Sequence, residues 1–180
     1  MKQIFTVGHS TRTLDEFIAL LQAHGIETLA DIRRFPGSRR HPQFGKDSLR
    51  DSIADAGIAY HWLEALGGRR SVKNLSTENS GWRVKAFHAY ADYTRTPEFQ
   101  KALSLLEGLA GKQRTAYMCA EAQWTQCHRR LVSDALLARG WKVFHITSKT
   151  RAEEHHLPDF ARRTGALVTY PGSPDEPTLF

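Results

Sequence analysis

The chain has 180 residues, 41% hydrophobic and 24% charged, which excludes a disordered or fibrous protein and leaves enough apolar surface for a packed core without metals or disulfides. No apolar run approaches the roughly 20 residues that cross a bilayer, and the first eight residues lack the apolar stretch of a secretory signal, so a cytoplasmic chain with no membrane contact is expected. Lys and Arg number 25 against 19 Asp and Glu, a net charge of +6 that suits an anionic partner, and the two cysteines are expected to be reduced.

Residues Gln3 to Gly8 are apolar and β-branched and predict a first strand. Thr13-x-x-Glu16 then has capping-box spacing ahead of Leu14, Phe17, Ile18, Leu20 and Leu21, which predicts an amphipathic helix closed by Gly25. Thr28 to Ile32 reads as a second strand. The loop from Arg33 to Pro42 follows, and its two prolines and one glycine stop helix and central strand alike. A helix restarts near Asp47 or Ser48 and runs to Gly57, Ile58 to Leu63 forms a third strand, and a polar stretch follows Gly67-Gly68.

Helical spacing returns from Trp82 to Tyr93, and Thr96-Pro97 supplies an N-cap and a first-turn proline for a helix through Leu109. Thr115 to Cys119 is apolar on both faces, as in a sheet covered on both sides. A helix from Cys127 to Arg139 closes at Gly140, Val143 to Ile146 forms a fifth strand, Leu157 to Arg163 a short helix, and Leu167 to Tyr170 an edge strand. The alternation predicts a three-layer α/β/α fold with a mostly parallel five- to six-stranded sheet, Rossmann-like or flavodoxin-like. Residues 1–170 would form a single α/β domain, with 171–180 an irregular, poorly held tail.

Ligands of such sheets bind beyond the carboxyl ends of the strands, where loops and helix N-termini meet. Those ends carry Gly8-His9-Ser10, Asp31 with Arg33 and Arg34, Gly67-Gly68, Cys119-Ala120-Glu121 and Cys127-His128-Arg129, all expected to face one crevice. These segments give the chain a resemblance to a bacterial family, domain of unknown function 488. It rests on Val7-Gly8-His9-Ser10, Asp31-Ile32-Arg33-Arg34-Phe35-Pro36-x-Ser38, Gly57-Ile58-x-Tyr60 leading to Leu66-Gly67-Gly68, Met118-Cys119-Ala120-Glu121 and Cys127-His128-Arg129. The family is named for lacking an assigned activity, so the resemblance implies a fold and no reaction.

A thiol in the first turn of a helix, beside His128 and Arg129, sees positive potential, which predicts that Cys127 is the more acidic thiol and Cys119 its partner. His128 and His9 are candidate bases and Glu121 a candidate acid or base. Arg33, Arg34 and Arg129, with Ser10, Asp31, Gly67 and Gly68, are candidates for holding a small anionic ligand, since a guanidinium grips a planar anion with two hydrogen bonds. Trp124, in the loop between the cysteines, is a candidate stacking platform. Zinc could draw on Cys119, Cys127, His128 and His9, but neighbours on a helix diverge, so no metal ligand is assigned, and the sequence leaves the cofactor open with zinc as one possibility. Three readings follow: a thiol-dependent or His/Glu enzyme acting on a small anionic or nucleotide-like substrate, a nucleic-acid-associated protein clamping phosphate with Arg39, Arg40 and His41, and a ligand sensor without turnover.

Overall fold

The structure is a computed structural model that describes residues 2–37 and 39–172. Strands β1 (Gln3–Gly8), β2 (Thr28–Asp31), β3 (Ala59–Trp62), β4 (Thr115–Cys119) and β5 (Lys142–Ser148) lie parallel, and β6 (Arg151–Glu154) pairs antiparallel with β5. The order across the sheet is β3-β2-β4-β1-β5-β6. Side chains alternate between faces along each strand. Phe5, Val7, Leu29, Ala116 and Met118 meet α1 (Leu14–Ala23) and α2 (Lys46–Asp55) in one apolar cluster. Ile4, Ala30 and Tyr117 meet α3 (Lys85–Thr94), α4 (Pro97–Ala110) and α5 (Arg129–Ala138) in the other. This is the expected three-layer arrangement.

Local signals explain most of the elements. Thr13 and Glu16 form the expected reciprocal cap, Thr13 Oγ1 accepting from the Glu16 amide at 3.2 Å and Glu16 Oε2 from the Thr13 amide at 2.8 Å. Thr96 caps α4 ahead of Pro97. Gly25 and Gly57 take positive φ just past α1 and α2, where a side chain would be strained. Among the described residues, no helix is long and apolar enough to cross a membrane.

Four expectations are corrected. Residues 157–161 form no helix: Leu157 and Phe160 are drawn into the cluster around Trp82, whose ring lies 5.1 Å from that of Phe160. Leu167–Thr169 (β8) pairs not with the main sheet but with Arg162–Thr164 (β7) in a separate two-stranded ribbon. The main sheet's sixth strand is instead β6, whose Arg-Ala-Glu-Glu sequence carries no strand signal of its own and is held by its pairing with β5. Helices α3 and α5 begin at Lys85 and Arg129, later than periodicity suggests, leaving Trp82 and Cys127 in the preceding loops. Of the tail, residues 173–180 lie outside the described residues.

The connection from β2 runs through α2 to β3 on one side, and that from β4 runs through α5 to β5 on the other. Neighbouring strands whose connections diverge leave a crevice at their carboxyl ends. Register makes those ends level, with Asp31 opposite Met118 and Gly8 opposite Cys119.

Candidate functional site

At the end of β4 the chain turns through residues 120–128 before α5 begins. Cys127 there is extended, with φ −124° and ψ 148°, and His128 is the N-cap residue of α5. Cys127 therefore precedes the helix and does not sit in its first turn, a correction with a chemical consequence. Because the backbone is not helical at Cys127, its side chain and that of His128 converge. Cys127 Sγ lies 3.7 Å and Cys119 Sγ 4.0 Å from the same His128 Nδ1. The opposite ring nitrogen, Nε2, lies 3.1 Å from the Ile32 carbonyl oxygen, which can only accept. Nε2 therefore carries a hydrogen, and in the neutral ring the lone pair of Nδ1 then faces the two sulfurs.

The thiols form one unit. A hydrogen bond from the Cys119 thiol, with the Arg129 charge adding to it, holds Cys127 well below the usual thiol range against the opposing effect of burial. The same contact, together with burial, pushes Cys119 well above it. Of the two, Cys127 is the thiol that gives up its proton first.

Beside the cluster stands a buried ion pair. Asp31 accepts from the Arg33 amide at 3.0 Å, from Arg33 Nε at 2.9 Å and Nη2 at 2.6 Å, and from the Tyr60 hydroxyl at 2.7 Å. The Arg33 charge is thus answered inside the protein. Arg33 Nη1 lies 3.5 Å from His9 Nε2, while His9 Nδ1 meets the Ser10 carbonyl oxygen at 2.9 Å and its ring stacks on Phe44 at 4.1 Å. Burial lowers the His9 pKa to about 4, and the nearby guanidinium adds to that, so the ring is neutral at pH 7.

A cavity of about 340 Å³ opens over the thiols. Cys119, Cys127 and His128 border it together with Arg33, Arg34, Gly68 and Glu121, residues that the sequence also singled out. Arg69, Phe87 and Tyr90 border it too, and sequence reading passed over them. His9 and Ser10 lie in a neighbouring depression with Arg40, His41 and again Glu121. Asp31 and Arg129 border neither depression, while Ala120, Glu121 and Gln126 border both. Arg129 is 1% exposed and works as a strap, donating to Thr6 Oγ1 at 3.2 Å and to the Glu121 and Ala122 carbonyl oxygens at 2.5 and 3.3 Å. Arg34 Nη1 donates to the Arg69 carbonyl oxygen at 2.7 Å, and the Arg39 and Arg40 side chains are exposed.

Three glycines permit the close approaches. A Cβ at Gly8 would fall 1.8 Å from the Glu121 carbonyl oxygen, and one at Gly68 would fall 3.0 Å from His128 Nδ1. Gly67 is as restricted, with a Cβ there 2.6 Å from that of Arg34. Trp124 is not a free platform: its ring lies flat on His145 at 4.0 Å. Behind it runs a buried relay that sequence reading missed. His145 Nε2 meets His155 Nδ1 at 2.9 Å, and Asp134 takes His155 Nε2 at 2.7 Å and the Tyr170 hydroxyl at 2.6 Å. These four residues come from α5, β5 and two late loops, and no local pattern joins them.

A family model described as Domain of unknown function DUF488 matches residues 13–136, a span that holds both thiols, His128 and the Asp31–Arg33 pair and leaves out His9 and Ser10. Neither the curated proteins nor the solved structures contain a match to the chain.

Proposed function

The chain belongs to the DUF488 family, and we propose that it is an enzyme acting on a small anionic or nucleotide-like substrate, with its chemistry at Cys119, Cys127 and His128. The observation that carries this reading is the convergence of two sulfurs on one imidazole nitrogen, 3.7 and 4.0 Å away, at the border of a cavity of small-molecule size. His128 Nδ1 is placed to take a proton from the thiol pair, and Arg34 and Arg69 supply positive charge where an anionic group would enter. Arg33 contributes by rigidity, since its charge is already held by Asp31.

Competition for the cavity tests the reading. In reduced, chelator-treated protein, inorganic phosphate or a nucleoside monophosphate should slow iodoacetamide labelling of the two cysteines, and Arg34→Ala with Arg69→Ala should remove that protection. Labelling that no anion slows, or protection that survives the double replacement, would reject the reading.

A further inference from the structure

We infer that Cys119, Cys127 and His128 form a site for one soft divalent metal ion of the zinc type, with three protein ligands and a fourth position open to the cavity. The three donor atoms, two Sγ and one Nδ1, lie within 4.8 Å of one another. Zinc bonds of about 2.3 Å to sulfur and about 2.0 Å to nitrogen, at tetrahedral angles, place a sulfur about 3.6 Å from the nitrogen. The two observed separations, 3.7 and 4.0 Å, need only a few tenths of an ångström of contraction. The objection that adjacent residues diverge on a helix, which leaves these ligands unassigned in the sequence, lapses with Cys127 extended ahead of the N-cap.

Three further features fit a ligand set better than a packing cluster. The imidazole is held by its remote nitrogen on the Ile32 carbonyl, the outer contact that commonly fixes the ring and tautomer of a metal-bound histidine. Gly68 leaves space beside Nδ1 that any other side chain would narrow. All three residues border the cavity, so a fourth ligand has a route from solvent, as in Cys₂His sites that keep a position for water or substrate. His9 has no part in the set, since its Nε2 faces Arg33. Binding would displace the thiol protons to solvent, use the Nδ1 lone pair, and cancel the ion's double charge with two thiolates. The site stands or falls by coordination, whatever the substrate. Only the use of the open position rests on the function proposed above.

The full-length protein, reduced with a phosphine and freed of metal by a chelator, should take up one Zn²⁺ per chain in competition with a chromophoric chelator. Co²⁺ in its place should show sulfur-to-cobalt charge transfer and the intense visible bands of a four-coordinate ion. Cys119→Ser, Cys127→Ser and His128→Gln should each weaken zinc binding by at least roughly 100-fold, with folding checked by circular dichroism. Should a variant fail to fold, the cobalt spectrum of the unaltered chain decides alone. Absence of stoichiometric uptake, or a cobalt spectrum without sulfur charge transfer, would overturn the inference. Anion protection of the thiols in metal-free protein is a separate readout. If it persists without metal uptake, only the metal site falls; if zinc binds and anions do not protect, only the proposed function falls.

Discussion

Replacing Asp31 by Asn keeps the shape of the side chain and removes its charge. The carboxylate is fully buried and accepts three hydrogen bonds from the Arg33 side chain, counting both contacts of Nε, one from the Arg33 amide and one from Tyr60. In the variant the amide –NH₂ turns a donor towards donors, and a guanidinium only 6% exposed is left without its counter-charge. Breaking a buried pair from one side costs about 3–5 kcal/mol. For a chain of this length that lowers Tm by roughly 6–20 °C. Urea unfolding read by tryptophan fluorescence is the assay, and Trp62 reports locally because its Nε1 donates to the Arg33 carbonyl oxygen at 2.9 Å. Asp31→Leu combined with Arg33→Met should cost less than Asp31→Asn alone, since no charge then stays buried. A cost below about 1 kcal/mol for Asp31→Asn, or a double variant as unstable as the sum of its parts, would refute the account of a desolvated pair that stiffens the cavity wall.

His9, with a folded pKa of about 4 against 6.5 for a free side chain, binds its proton more readily unfolded. Its contribution to stability is therefore whole above about pH 6.5 and is lost as pH falls towards 4, by no more than about 3 kcal/mol. Urea titrations at several pH values should show a shallower acid loss in His9→Asn, and an unchanged profile would contradict a buried neutral ring. Gly8→Ala should cost more than about 3 kcal/mol, because its Cβ meets backbone, whereas Gly57→Ala, strained in φ with no atom of the described residues within 4 Å, should cost only about 1 kcal/mol. Paired unfolding curves compare them, and equal costs would discount the close approach of the 120–122 loop. If the chain binds nonspecific nucleic acid through its exposed loop, Arg39→Ala with Arg40→Ala should flatten the salt dependence of that binding, and an unchanged slope would place the contact elsewhere.

Much of the fold was legible because its signals are local. The capping box at Thr13, the Thr96-Pro97 start and the two-faced apolar run of β4 each state their structure within a few residues. What failed was decided by partners distant in sequence. β6 is a strand because β5 offers it an edge, and residues 157–161 are held out of a helix where Phe160 packs on Trp82, far earlier in the chain. The relay through Asp134, His145, His155 and Tyr170 was illegible for the same reason. The placement of charge was hidden in another way. Arg33 and Arg129 look like anion ligands in sequence, yet both are buried, Arg33 paired with Asp31 and Arg129 donating to the Glu121 carbonyl, and only burial separates them from Arg34 and Arg69.

The cluster shows how small a shift changes chemistry. Helical periodicity separates side chains at adjacent positions by about 100°, so Cys127 and His128 could not share a ligand if α5 began at Cys127. It begins at Arg129. With Cys127 extended, its Sγ swings to the Nδ1 face of His128, and the register of β4 against β1 and β2 sets Cys119 on that same face. Three constraints from separate parts of the chain therefore meet at one nitrogen: the end of β4, the delayed start of α5, and the Ile32 carbonyl after β2 that turns the ring. Each has an ordinary structural cause alone. Their coincidence beside a cavity sets two sulfurs on one lone pair, a geometry that suits either proton transfer or coordination, and occupancy by metal decides which.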